Sequence, residues 1–247
     1  HVQGTHGHWH RVFAPPLARA DAAGVYLPHR DEVMLFGGID EGGSLLDLTS
    51  TWNGTTWTHQ TSTDPAFGSG VPPSREGLWH AMAYDDVRRA AILVENPQNQ
   101  VWKYDPGQTP AWDLIQTWGT DAEPPPVIDG YSVDYDARLA QTLLFGGRVP
   151  GTEDGEPDTL SNALWTLDDP SDSSNGYIWR ELQPEGGPDA EVPPPRHGHA
   201  TAWDPIRQRL VLFGGSSSPD FADDDDQTLL PHTWEWTGRH WLNRTAE

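Results

Sequence analysis

The sequence predicts an all-β chain folded as a β-propeller of four-stranded antiparallel blades, with four complete units and an extra last strand at the N-terminus. Three observations predict it. An apolar run closed by a glycine pair recurs as Val33-Met34-Leu35-Phe36-Gly37-Gly38, Thr142-Leu143-Leu144-Phe145-Gly146-Gly147 and Leu210-Val211-Leu212-Phe213-Gly214-Gly215. Eleven residues before the last position of each run stands Leu27, Asp136 or Asp204, preceded by Tyr26, Tyr135 or Trp203. After each run come a short aromatic segment, a polar turn and a further Trp. A fourth copy, Ala91-Ile92-Leu93-Val94-Glu95-Asn96, keeps the spacing to Asp85 and Tyr84 but has lost its glycines. A repeat of this length is one supersecondary unit, and self-similarity of this kind is the mark of a stacked or radial architecture.

Each unit reads as four short strands. The first carries small and aromatic residues, as in His80-Ala81-Met82-Ala83-Tyr84 and His199-Ala200-Thr201-Ala202-Trp203. The second is nearly all apolar, as a strand buried on both faces must be. Glycines end it where the chain has to turn beside a neighbouring sheet. The third is aromatic: Ser50-Thr51-Trp52, Val101-Trp102-Lys103-Tyr104, Leu164-Trp165-Thr166-Leu167 and Thr233-Trp234-Glu235-Trp236. Trp57, Trp112, Trp179 and Trp241 open the fourth. One such sheet cannot cover its own two faces, so the units stack side by side, and radial stacking gives a propeller. Proline-rich linkers at 72–73, 124–126 and 193–195 divide the chain into blades at 15–71, 72–123, 124–192 and 193–247, all in one domain.

Residues 1–14 read as an orphan last strand opened by Trp9. Two arrangements account for it. Either the propeller has further blades outside this sequence, or four blades close a ring and the extra strand pairs on an edge, where it offers a route to self-association.

The repeats resemble the Kelch family, whose units join an Arg-x-Gly-His opening to a Gly-Gly pair and a spaced Tyr and Trp. Arg196-His197-Gly198-His199 through Trp241 follows that pattern closely. The second unit keeps His80, Tyr104 and Trp112 without the glycines, the first has Ala22 at the His position, and the third has Tyr131 there. The resemblance implies a propeller for residues 15–247. It also implies that the opening Arg and His link neighbouring blades by hydrogen bonds. It fixes no function, because one fold hosts many. The copper radical oxidases on Kelch propellers need a Cys cross-linked to Tyr, and this chain has no Cys.

Composition narrows the function classes. The 247 residues carry 37 acidic against 15 basic side chains, for a net charge of −22. Nucleic acid and anionic membrane surfaces are therefore poor partners, since both are bound through clustered Lys and Arg. Absence of Cys excludes disulfides, thiolate catalysis and Cys-ligated metals. No apolar run is long enough to insert in a bilayer. Among hydrolase and phosphate-binding motifs, no Gly-x-Ser-x-Gly elbow, His-Glu-x-x-His pair or phosphate loop occurs.

Three constellations carry chemistry. His1, His6, His8 and His10 could hold copper, because imidazole suits it, or they could line an exposed strand and turn. Asp223, Asp224, Asp225 and Asp226 could hold calcium, although their spacing departs from the calcium-loop pattern and a solvated acidic loop has the same composition. Trp79, His80, Tyr131, Arg196, His197 and His199 start the inner strands near the channel mouth. There they could bind an anion or sugar, or do acid–base work, or link the blades.

The reading that follows is a non-catalytic binding scaffold whose working surface is the loops at 39–48, 148–160 and 216–230, with a protein or glycan partner. No cofactor is required. The rivals are a metal-binding protein or enzyme using the His-rich end or the channel mouth, and a structural subunit of an extracellular surface assembly joined through the orphan strand. The charge and the repeat style suggest an extracellular or cell-surface setting. Asn53-Gly54-Thr55 and Asn243-Arg244-Thr245 are glycosylation sequons.

Overall fold

The structure is a computed structural model. It describes residues 18–60, 72, 80–95, 100–107, 111–116, 125–127, 129–153, 155–168, 177–187, 190–219 and 228–245. The orphan strand expected around Trp9 lies outside these residues, as do Trp79, the four N-terminal histidines and Asp223 to Asp226.

Four antiparallel four-stranded sheets form the blades of a β-propeller. In chain order, β1 (Arg19–Ala20) is followed by blade 1, made of β2 (Ala23–Leu27), β3 (Glu32–Phe36), β5 (Thr49–Trp52) and β6 (Trp57–Gln60), with β4 (Ile39–Asp40) in its loop. Blade 2 comprises β7 (His80–Asp85), β8 (Ala90–Glu95), β9 (Gln100–Tyr104) and β10 (Trp112–Gln116). Blade 3 comprises β11 (Ser132–Asp136), β12 (Gln141–Phe145), β15 (Leu164–Asp168) and β16 (Ile178–Leu182), with β13 (Arg148–Val149) and β14 (Thr159–Leu160) in its loop. Blade 4 comprises β17 (Ala200–Asp204), β18 (Arg209–Phe213), β19 (Thr233–Trp236) and β20 (Trp241–Asn243). The expected strand order and the four Trp-led last strands are present, the third starting one residue before Trp179.

The first turn of each blade is built alike. Its last residue, Asp31, Arg89, Ala140 or Gln208, has a positive φ between 53° and 56°. In blades 2 to 4 the carboxylate of Asp85, Asp136 or Asp204 accepts a backbone N–H from inside the turn. That is the local reason for Asp at this position. Blade 1 has Leu27 instead, which is buried in the core.

Among the described residues the core forms three clusters, and each lies between two successive blades. Ala23, Met34 and Phe36 of blade 1 pack on Leu93, Trp102 and Trp112 of blade 2. Ile92 and Val94 of blade 2 pack on Val133, Leu144 and Trp179 of blade 3. Leu143 and Phe145 of blade 3 pack on Leu212, Trp236 and Trp241 of blade 4. Inner strands accordingly touch in succession, β2 on β7, β7 on β11 and β11 on β17. The face of each blade turned to its successor, here the trailing face, carries the second-strand Phe or Val. The opposite, leading face carries the Trp of the last strand.

Candidate binding face and the interblade histidines

Of the residues expected at the channel mouth, His80, Tyr131 and His199 lie between blades. His80 Nε2 lies 3.1 Å from the Phe36 carbonyl oxygen of the blade before it. Its ring stands edge-on to Phe36 at 5.8 Å. His199 repeats this against Phe145, with ring centroids 5.3 Å apart, and its Nε2 is 2.9 Å from Ser132 Oγ. In blade 3 Tyr131 takes the same slot and donates its hydroxyl to the Val94 carbonyl at 3.1 Å. Three different interfaces thus use one device, a ring at the start of an inner strand that closes on the end of the preceding second strand.

The first glycine of the pair makes room for that ring. A Cβ at Gly37 would sit 2.8 Å from His80 Nε2, and one at Gly146 would sit 2.7 Å from His199 Cε1. Blade 2, which has Glu95 in this position, is followed by Tyr131 in place of a histidine. Glu95 is itself buried and accepts the Trp102 indole N–H at 3.1 Å.

Arg196 is fully buried and donates from Nε to the Pro194 carbonyl and from Nη1 to the Gly214 carbonyl. Burial lowers its pKa to about 10, which leaves it protonated at neutral pH. His199 is pushed down to about 3 by burial first, with the charges of Arg196 and His197 adding to the effect. His80 and His197 are lowered as well, again chiefly by burial. The His80 and His199 rings are neutral bridges at physiological pH. The structure brings Arg196, His197 and His199 together, and places His80 and Tyr131 at the two other interfaces.

Sequence reasoning missed Arg19. It stands three residues before Ala22, the offset that separates Arg196 from His199. Its guanidinium donates to the Gly37 and Leu48 carbonyls at 3.1 and 3.2 Å and to Ser50 Oγ at 2.6 Å. Both arginines therefore bind the carbonyl of the first glycine in their own blade, and the common offset is the signal that could have found Arg19.

The loops after the glycine pairs share a frame of their own. In blade 1 Ile39 pairs with Ala20 and bridges to Leu45. In blade 3 Arg148 bridges to Asp129 and pairs with Leu160. In blade 4 Ser216 bridges to both His197 and Leu229. Each returning chain also donates an N–H to the second glycine, Leu46 to Gly38, Ser161 to Gly147 and Leu230 to Gly215, at 2.8 to 2.9 Å. Loops of unequal length are thus anchored by one backbone pattern at the same end of three blades.

Side chains add local order to these anchors. Asp40 Oδ1 accepts the backbone N–H groups of Gly42 and Ser44, both at 2.8 Å. Arg148 is held between Asp129 and Asp158. Thr152 donates its N–H and hydroxyl to Glu156, and these bonds hold the Glu156 carboxyl below the usual range. Beyond the anchors the loops present Asp40, Glu41, Asp47, Glu153 and Glu156, so this end of the molecule is acidic. Among the described residues no three His, Asp or Glu side chains are grouped to hold a metal ion. Nor is any helix there long and apolar enough to cross a membrane.

No protein-family model matches the chain. It is 28% identical over 217 residues, 85% of its length, to human multiple epidermal growth factor-like domains protein 8, and 29% identical over 222 residues to the mouse protein of that name. A segment of 94 residues is 33% identical to dynein regulatory complex subunit 7 of Chlamydomonas reinhardtii. The chain spans about 7% of the length of each of these relatives. Among solved structures, YjhT matches 97% of this chain and 74% of its own with a TM-score of 0.62 at 15% identity, a likeness of fold.

Proposed function

We propose that the chain is a non-catalytic binding scaffold of the Kelch type, which engages a protein or glycan partner through the loops at 39–48, 148–160 and 216–230. One observation carries this reading. Those loops differ in length and side chains, yet Ile39, Arg148 and Ser216 anchor them by the same double bridge at one end of the blades. A rigid frame with variable segments on it is the common arrangement for recognition. The inner-strand histidines, in contrast, are occupied between blades and are poor candidates for acid–base work. Excess negative charge at the loop end favours a basic or neutral partner. Similarity to a protein named for epidermal growth factor-like domains supports an extracellular setting, because such domains are typical of secreted chains.

The test is an array of oligosaccharides and purified extracellular proteins. It is probed with the wild-type chain and with a variant in which residues 151–157 are replaced by a Gly-Ser linker. The expected result is binding to at least one array component, lost in a variant whose circular dichroism is unchanged. Turnover of chromogenic glycosides by the wild type, or binding indifferent to replacement of each of the three loops, overturns the proposal.

A further inference from the structure

The trailing face of blade 4 carries the second-strand Phe and following Gly of the filled interfaces of blades 1 and 3, without the neighbour. In blades 1 and 3 the last residue of the second strand, Phe36 or Phe145, is 1% exposed and meets the next blade's Trp112 or Trp241 at 5.1 Å, edge-on. Phe213 holds the same position in blade 4 and is 58% exposed. Gly37 and Gly146 are crowded by the next blade's histidine, whereas a Cβ at Gly214 would meet no atom within 4 Å. Ala200 and Ala202, which pair with Phe213 and Val211 on this face, are exposed too. Phe213, Gly214 and the β17 alanines thus form one apolar socket, bounded on its outer side by Glu235 between Arg207 and Arg244.

We propose that this socket seats a further blade of the same four-stranded architecture, carried by the same polypeptide outside residues 18–245. Its inner strand opens on a histidine that fills the space beside Gly214 and bonds the Phe213 carbonyl. Its last strand opens on a tryptophan that meets Phe213 edge-on. The interface is continuous with the three already formed and repeats the His, Phe and Trp set found between blades 1 and 2 and between blades 3 and 4. A second copy of blade 1 is a poorer occupant, because its inner strand opens on Ala22, which has neither ring nor donor.

Two experiments on the 247-residue chain decide it. Phe213→Asp should shift the thermal midpoint by no more than about 2 °C, the scale of a surface change in a chain of this size, whereas Phe145→Asp should abolish folding. Unfolding by Phe213→Asp as well would mean that the face is already covered, and would overturn the proposal. In the second, a copy of residues 61–116 is appended after Glu247, and hydroxyl-radical oxidation of Phe213 is followed by mass spectrometry. Oxidation should fall to the level of Phe145. It should stay high when the appended copy carries His80→Ala and Trp112→Ala. Equal protection by both grafts, no protection by either, or an appended blade that stays unfolded on an intact blade 4 overturns it.

Discussion

Trp112 and Trp57 open the last strands of successive blades and meet different surroundings. Trp112 is fully buried, edge-on to Phe36 and bonded through its indole N–H to Thr49 Oγ1 at 3.0 Å. Trp57 leans on Trp52 at 5.4 Å and stays half-exposed. It belongs to a cross-strand row with Tyr26, Val33 and Trp52. In that row Tyr26 is 49% and Val33 38% exposed. In blade 3 the equivalent row, Tyr135, Thr142, Leu167 and Trp179, is wholly buried. A blade's sequence specifies the row, and its neighbour decides whether the row contributes to stability. The largest expected effect follows. Trp112→Ala should cost about 3–5 kcal/mol by removing a packed aromatic from a filled interface. Trp57→Ala should cost about 1 kcal/mol or less, the worth of an exposed aromatic pair. Urea unfolding of the two variants measures both, and equal losses would erase the distinction between filled and open faces.

This division also marks what could be read from the sequence. Strand order, blade count and the Trp-led last strands were legible because each rests on side-chain identity at fixed spacing. The bridging role of His80 and His199 entered only through family resemblance, and the structure gives its physical basis in the ring beside Gly37 or Gly146. Loop anchoring was not legible. Ile39, Arg148 and Ser216 have no side-chain chemistry in common, and their pairing is a backbone matter that any residue can satisfy. Exposure of Phe213 was equally hidden, since Phe36, Phe145 and Phe213 end nearly identical words and differ only in what lies across from them.

Filled interfaces also concentrate the sensitivity to pH. Between blades 3 and 4 two buried groups act with opposite sign. His199 titrates near 3 when folded, so the unfolded chain takes up its proton first. Its contribution is complete above about pH 6.5 and is lost as pH falls toward 3, at about 1.4 kcal/mol per pH unit. Asp134 is raised to about 6 by burial, against the backbone N–H groups of Tyr135 and Trp203 that favour its ionised form. Folding therefore prefers its neutral form, and the resulting penalty is absent below about pH 3.8, grows as pH rises to about 6 and is constant above. Asp134→Asn keeps an acceptor oxygen and should raise stability at pH 7 by up to about 3 kcal/mol. It should also leave the His199 slope visible between pH 4 and 6. Urea midpoints from pH 4 to 8 read both effects. An Asn variant no more stable than wild type at pH 7 would show that this interface tolerates the charge as an open face does.

The smallest expected effect isolates the interblade hydrogen bond from the packing around it. Tyr131→Phe keeps the ring against blade 2 and removes only the donor to the Val94 carbonyl. Leaving that carbonyl buried without this bond should cost about 1 kcal/mol. The comparison with blade 1 gives the value its meaning, because Ala22 stands in the equivalent position with no donor to offer. A loss near 1 kcal/mol in urea unfolding makes the opening ring a positional device, which fixes how far one inner strand slides past the next while apolar contact supplies most of the energy. A loss several times larger would instead make the ring and carbonyl the principal joint between blades. Blade 1 would then be set apart by the missing donor at Ala22 as much as by the exposure of Tyr26 and Trp57.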